Sequence, residues 1–442
     1  MNRITFGLLL SVGLLLGCDP QGNNWGLDAI DSMVTPADPP LACGIALPAD
    51  PAAAQRTSCT FDTGATPQQT LGIDAATAAT LPIRHLIVVM KENRSFDHLL
   101  GMLNVRGQPG ANTAPSTYTN PDLQGNQVPF THATTTCLQF DPGHQYESMN
   151  AGINQGQMDG WVLNAAHTTT TDGHFVMSMY DQSDLPFDYF LATTYAINDA
   201  YFAPMATGTY GNRNFLLLGT NAGSVNTGIV YPRPNTPSIM QLLMNAGFTW
   251  GAYTDHEPFE ETLNIGPGDP GVHTMQDFFD ALANGTLPNV AFIDSEENVE
   301  DDHPTADLQH GEVWLKSVYD KVVASPQWDR LAMIWTYDEA GGFPDHVPPP
   351  QACPAGPDSL FTLRGPRIPL VAISPWAKRN YVSHVVSDHT AITRLIETLF
   401  GLPALTARDA NSEALLDMFD FSCGANTAVP PAPQPGTGGC TP

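Results

Sequence analysis

Positive charge is what this chain has least of. Its 442 residues carry 17 Lys plus Arg against 45 Asp plus Glu, a formal net charge of -28. Such a surface repels a phosphate backbone, which argues against nucleic acid as a partner. It also argues against adsorption to anionic lipid by charge alone. No C-x-x-C pair or Cys/His zinc spacing occurs, so thiolate metal binding is disfavoured. G-x-S-x-G, G-x-x-x-x-G-K-[ST] and H-E-x-x-H are missing too. Their absence speaks against a serine-hydrolase elbow, a nucleotide loop and a zinc-protease helix. No long internal repeat is visible.

What is present is 42% hydrophobic, ample for a large core in one big domain or two modest ones. Phe6 to Leu16 is an apolar run too short to span a membrane as a mature helix. It ends in Leu15-Leu16-Gly17-Cys18 and resembles a bacterial lipoprotein signal, in which Cys18 becomes the lipid-carrying first residue. A plain secretory signal is the alternative. The expectation is an exported protein of the bacterial cell envelope, held to a membrane by its N-terminal lipid and facing the periplasm or the outside. Six further cysteines, at 43, 59, 137, 353, 423 and 440, suggest disulfides. They allow fifteen pairings; Cys43 with Cys59 and Cys423 with Cys440 are plausible local loops.

The segmentation follows from composition: a signal peptide over 1–17, a tether and irregular lead-in over 18–80, one main domain over 81–422 and a Pro/Gly-rich tail over 423–442. Within the domain, short apolar runs read as strands at Leu86–Met90, Thr249–Tyr253, Val290–Ile293, Leu331–Tyr337 and Leu370–Ser374. Helical spacing covers Phe187–Ile197, Ser238–Ala246, Met275–Ala283, Glu312–Ala324 and Ala391–Phe400. Thr236 reads as an N-cap and Pro237 as the first position of the second of these. The alternation predicts an α/β layered fold with a central, mostly parallel sheet flanked by helices.

Three stretches carry chemistry. In the first, the strand Leu86–Met90 stops at Lys91-Glu92-Asn93-Arg94-Ser95 and a helical pattern begins at Phe96. Glu92 and Asn93 therefore stand at the carboxyl end of a buried strand, where α/β sheets bind ligands. Their oxygens suit a hard divalent cation; a capped helix start with a surface ion pair is the plainer alternative. In the second, Leu331–Tyr337 runs straight into Asp338-Glu339, then Gly341-Gly342 and Asp345-His346. Three carboxylates and an amide could meet at one sheet edge, where a cation would relieve their repulsion. In the third, Thr207, Gly208 and Thr209 precede the helix-like Asn214–Leu218. A hydroxyl there caps a helix or attacks a phosphate that binds its N-terminus. Asn212 and Arg213 either hold phosphate oxygens or cap the turn. Two polar stretches, Gly101 to Pro186 and Asp294 to Gly311, add His144 and His303 on candidate site-forming loops.

E-N-R-S-F-D-H at Glu92–His98, D-P-G-H at Asp141–His144, T-Y-G-N-R at Thr209–Arg213, D-H-P at Asp302–Pro304 and T-Y-D-E-A-G-G-F-P-D-H-V-P-P-P at Thr336–Pro350 resemble the bacterial phosphoesterase family. I-S-P-W-A-K at Ile373–Lys378 and D-H-T at Asp388–Thr390 match as well. The family holds phosphatidylcholine-type phospholipases C and a class of acid phosphatases. The resemblance covers roughly Ile83 to Leu405 and implies an alkaline-phosphatase-like core. It implies one divalent metal ion on Glu92, Asn93, Asp338 and Glu339, with Thr209 as nucleophile and further ligand. Oxygen-rich ligation suits Ca, Mg or Mn and leaves Zn open. Where many members carry Asp-Pro before the Asn-Arg, this chain carries Tyr210-Gly211. Asn212, His144 and His303 would hold phosphoryl oxygens. Either of those histidines, His346 or His389 could serve as the acid, with Asp345 and Arg213 in supporting places. The expected substrate is a phosphate ester, with a phospholipid diester slightly ahead of a monoester because few Lys or Arg flank these motifs. A catalytically dead, lipid-tethered binding protein is the reading from a different class. Head group and oligomeric state are open.

Overall fold

The computed structural model describes residues 44–221, 223–225, 228–229, 236–263, 265–266, 268–356, 361–422 and 424–439. Its centre is an eight-stranded sheet. In chain order the strands are β1 (His85–Lys91), β2 (Ala196–Asn198), β3 (Trp250–Tyr253), β4 (Val272–His273), β5 (Val290–Ile293), β6 (Leu331–Tyr337), β7 (Leu370–Ile373) and β8 (Tyr381–Ser383). They lie side by side as β8-β2-β7-β6-β1-β5-β3-β4. Only β7 runs antiparallel to its neighbours, β6 and β2. The expected layered α/β fold with a mostly parallel sheet is what is observed.

β1 and β6 are buried along all seven residues, and apolar from Leu86 to Met90 and from Leu331 to Trp335, as strands covered on both faces must be. The five strands expected from sequence are present within a residue or so at each end. Short β2, β4 and β8 carry too few residues for a periodic pattern. Four helices matter for the site: α1 (Phe96–Leu100), α2 (Thr209–Leu218), α3 (Leu308–Ala324) and α4 (His389–Phe400). α2 packs against α4. The helix expected to run to Ile197 stops at Thr194, and the chain turns into β2. The cap expected at Thr236 is made by Ser238, whose hydroxyl accepts the Gln241 N–H at 3.2 Å. Pro237 therefore precedes the cap and is not the first helical residue.

The lead-in is less irregular than its composition suggests. Three short helices, Ala53–Thr57, Pro67–Leu71 and Ala75–Ala78, lie within it. Leu71 and Ile73 pack with Ala414 in a small apolar cluster. The polar stretch after Gly101 is likewise ordered, by the helices Tyr146–Ile153 and Trp161–Thr168 and two small sheets. Cys59 is bonded to Cys353, 294 residues away, and not to Cys43 as a local loop. Cys137 is also disulfide-bonded. Cys18, Cys43 and the pair Cys423 and Cys440 lie outside the described residues. Among the described residues no helix is long and apolar enough to cross a membrane.

The disulfide joins the lead-in to the loop after the Asp338-Glu339 strand end, so it closes a loop far longer than sequence locality suggests. Cys59→Ser should lower the unfolding free energy by about 2–5 kcal/mol, read from denaturant titration. A non-reducing peptide map should recover Cys59 linked to Cys353.

Candidate active site

Parallel pairing puts the ends of β1 and β6 at one edge. Met90 lies opposite Thr336 and Lys91 opposite Tyr337, so Glu92-Asn93 and Asp338-Glu339 leave the sheet side by side. Backbone and side chain lock the arrangement. The Asp338 N–H donates to the Lys91 carbonyl at 2.9 Å, the Arg94 N–H to the Glu339 carbonyl at 3.0 Å and the Asn93 N–H to Asp338 Oδ1 at 3.0 Å. Asn93 adopts φ +63°, a left-handed conformation that Asn tolerates better than most residues. Gly341, at φ +64°, lets the second strand end approach this turn; a Cβ there would stand 2.4 Å from the Asn93 carbonyl oxygen.

Thr209 opens α2 with its hydroxyl donating to Glu92 Oε2 at 3.0 Å. Arg213, one turn on, clamps the other Glu92 oxygen through Nη2 at 2.6 Å and Nε at 3.1 Å. It also meets Asp294 at 3.5 Å and stacks 3.5 Å from the Phe259 ring centre. Glu92 and Asp294 hold its guanidinium above the ordinary range against the downward pull of burial. Arg213 thus supports Glu92 and is spent there.

Asp338 and Glu339 have no such partner. Among the described residues neither forms an ion pair. Burial drives Asp338 far above the ordinary carboxylate range, and the charges of Glu92 and Glu339 add to it. Burial likewise pushes Glu339 up to about 8, with His144 opposing and Glu92 adding. Three buried oxygens find no hydrogen-bond donor: Asn93 Oδ1, Asp338 Oδ2 and Glu339 Oε1. They belong to three of the four residues expected to hold a divalent cation. Orphaned buried acceptors cost free energy, and hard oxygens in this number suit such an ion. The donor set therefore fits a metal. Glu92 differs, because Arg213 already occupies one of its oxygens.

His144 and His303 approach the same edge from separate loops, with ring centres 5.7 Å apart. Donors from Asp141, His144 and His303 lie within 4.8 Å of one another. His144 Nδ1 faces the Pro142 carbonyl at 2.9 Å and Asp141 Oδ1 at 3.4 Å, which leaves Nε2 for the cleft. Burial favours its neutral form, yet Glu339 and Asp141 outweigh that and raise it to about 10.

The profile of the phosphoesterase family matches residues 83–403. The chain belongs to the phosphoesterase family. It is accordingly a hydrolase of phosphoric esters. The phosphoesterase is similar to phospholipase C A of Mycobacterium tuberculosis, 29% identical over 427 residues that cover 80% of each chain. It is also similar to non-specific phospholipase C1 of Arabidopsis thaliana, 29% identical over 373 residues, covering 74% of this chain and 69% of that one. Among solved structures, an alkaline phosphatase superfamily protein from Vibrio parahaemolyticus overlaps with a TM-score of 0.33 at 14% identity, covering 71% and 78% of the two chains.

Other expected site residues of the phosphoesterase stand elsewhere. Asn212 does not face the cleft. Its Oδ1 accepts the Met205 N–H at 3.0 Å and its Nδ2 donates to the Thr207 and Gly208 carbonyls at 2.7 and 3.3 Å. It braces the turn that presents Thr209. Asp345 is held by Arg367 at 2.8 and 3.0 Å, and His346 Nδ1 by Asp97 at 2.6 Å; these four form a separate buried ion network. His389 is wholly buried between the Tyr201 hydroxyl and the Asp338 carbonyl, both at 2.8 Å. Burial lowers it to about 4, which suits a fixed acceptor or donor and not an acid. Two residues were not singled out from sequence. Asp141 orients His144, and it stood in the quoted D-P-G-H. Asp294 follows strand β5 directly, as Glu92 follows β1, so the strand-end rule would have found it.

Glu339 binds its proton more tightly folded than unfolded. Its contribution to stability is therefore full below the ordinary value of 4.5 and is lost as pH climbs toward about 8. In metal-stripped protein the melting temperature should fall across that window. Glu339→Gln should flatten the fall, and a divalent cation should remove it. A wild-type curve that superimposes on that of Glu339→Gln would contradict this electrostatic account.

Proposed function

We propose that this phosphoesterase cleaves phosphodiesters of the phospholipid type with Thr209 as nucleophile. The observation that carries the reading is the contact between the Thr209 hydroxyl and Glu92, beside three buried oxygens without donors. Glu92, Asn93, Asp338 and Glu339 would hold one divalent cation. When bound there, such an ion lowers the pKa of a nearby hydroxyl and takes up charge on phosphoryl oxygens.

The chain's own residues do the rest. Asn212 fixes the turn so that Thr209 points at the strand ends. Glu92 accepts the Thr209 proton as the hydroxyl attacks phosphorus in line with the leaving alcohol. Arg213 keeps Glu92 oriented. His144 protonates the leaving oxygen from Nε2, because Asp141 and the Pro142 carbonyl engage Nδ1. His303 lies close enough to hydrogen-bond a phosphoryl oxygen. The intermediate is a phospho-threonine that still carries the second ester of the substrate; water then displaces Thr209 and releases a phosphomonoester.

A diester is favoured over a monoester by charge. A monoester brings an extra negative charge that arginines would have to meet. Arg213 is spent on Glu92, and both Arg94 Nε and Nη2 donate to the Asp302 carbonyl. The phospholipases C among the relatives point the same way. Export and anchoring through Cys18 belong to the same reading. They rest on the Leu15-Leu16-Gly17-Cys18 junction, outside the described residues.

The test is hydrolysis of p-nitrophenyl phosphorylcholine beside p-nitrophenyl phosphate, with and without chelator. The diester should be the better substrate, and chelator should abolish its cleavage. Thr209→Ala should cost at least about 10³-fold. His144→Asn should cost about 10²–10⁴-fold on an alkyl diester and much less on the p-nitrophenyl one, whose leaving group needs no acid. Cleavage of the monoester alone would move the assignment to an acid phosphatase. Activity indifferent to chelator and to Thr209 would remove the reading.

A further inference from the structure

A cavity of about 250 Å³ lies apart from the strand-end site and is lined by none of the residues gathered around Glu339 and His144. Arg56, Arg364 and Arg408 line it, next to the Cys59–Cys353 disulfide. Three guanidiniums in one cavity stand out in a chain with so few basic residues.

Its two ends differ. At one end Arg56 is matched by two carboxylates, Asp50 and Glu413. At the other end two guanidiniums share a single carboxylate oxygen. Arg364 Nε and Arg408 Nη2 both donate to Asp388 Oδ2 at 2.8 Å. The other oxygen, Asp388 Oδ1, caps α4 by accepting the Thr390 N–H at 3.0 Å and the Thr390 hydroxyl at 2.6 Å. Arg364 Nη1 donates to the Gln351 carbonyl at 2.6 Å, and Nη2 has no partner among the described residues. Burial and the neighbouring Arg408 both work against the charge on Arg364. At this end one positive charge and one donor are left over, while the carboxylate in excess sits at the Arg56 end.

We propose that this end of the cavity binds a small, soluble phosphate-type oxyanion, with Arg364 as its anchor. A guanidinium offers paired N–H groups in the geometry of phosphate oxygens. The volume suits inorganic phosphate or a small phosphomonoester. Hydrolysis of phosphoric esters releases ligands of this class, so the site would sense product. Its position allows that. Arg408 Nη2 also donates to the Pro204 carbonyl at 2.8 Å, in the segment leading to Thr209. The residue after Asp388 is His389, which bonds the Asp338 carbonyl. An anion that draws Arg364 from Asp388 therefore acts one residue from His389, which touches the Asp338 strand end, and through Arg408 on Pro204, five residues before Thr209.

The test is equilibrium dialysis of the full protein against labelled inorganic phosphate at constant ionic strength. The variants are Arg364→Gln, which removes the anchor, and Ala352→Glu, which sets a like charge on the half-exposed cavity wall and asks little of folding. Each variant should lose one bound equivalent relative to wild type, or bind it at least about tenfold more weakly. Loss of one equivalent with another retained supports both this site and the catalytic reading. Loss that leaves none supports this site and counts against phosphate binding at the strand ends. Unchanged binding in folded Ala352→Glu overturns the proposal, even if Arg364→Gln fails to fold.

Discussion

The structure depends on a concentration of negative charge that the sheet itself creates. Parallel pairing of β1 with β6 brings Glu92, Asp338 and Glu339 to one buried edge, and β5 adds Asp294 beside them. Among the described residues Arg213 is the one arginine or lysine in ion-pair contact with them, and it serves Glu92 and Asp294. Among the described residues Asp338 and Glu339 form no ion pair, and the nearby His144 opposes the burial that pushes Glu339 up. Burial forbids both from ionising cheaply, so the fold stores a demand for positive charge at the point where two loops deliver His144 and His303.

The scarcity of basic residues sharpens this demand. Arg56, Lys91, Arg94, Arg213, Arg364, Arg367, Arg394 and Arg408 are all buried, eight of the seventeen in the chain. Most are spent on internal partners: Lys91 on Asp302, Arg367 on Asp345, Arg394 on Glu397, Arg408 on Asp388. The cations therefore organise the interior around the site and leave the surface to its acids. This is why neither Arg94 nor Arg213 is at liberty to meet a phosphate, although both stand inside the motifs.

The strands that carry the site were legible in sequence because a buried strand is an unbroken apolar run, and the acid pairs stood where those runs stopped. The register that joins them was not legible: nothing local says that Lys91 faces Tyr337. Asn212 was misplaced for a related reason. A side-chain amide serves a phosphate and a backbone turn equally well, and only the positions of Met205 and Thr207 decide. The histidines divide the same way. His144 has Asp141 beside it, His346 an ion network of its own and His389 a buried carbonyl. Three similar side chains take different tasks from their neighbours, and for His346 and His389 those neighbours are distant in sequence. The disulfide went the same way, since Cys59 meets Cys353 through the packing of the lead-in and not through proximity along the chain.

The central claim is that the unpartnered oxygens at the strand ends hold a divalent ion. The direct measurement is metal content of the dialysed protein, by mass spectrometry, with Asn93→Ala against His346→Asn. The account predicts one divalent ion per chain in wild type and in His346→Asn, and its loss in folded Asn93→Ala. Retention of the ion by Asn93→Ala with wild-type affinity would contradict it.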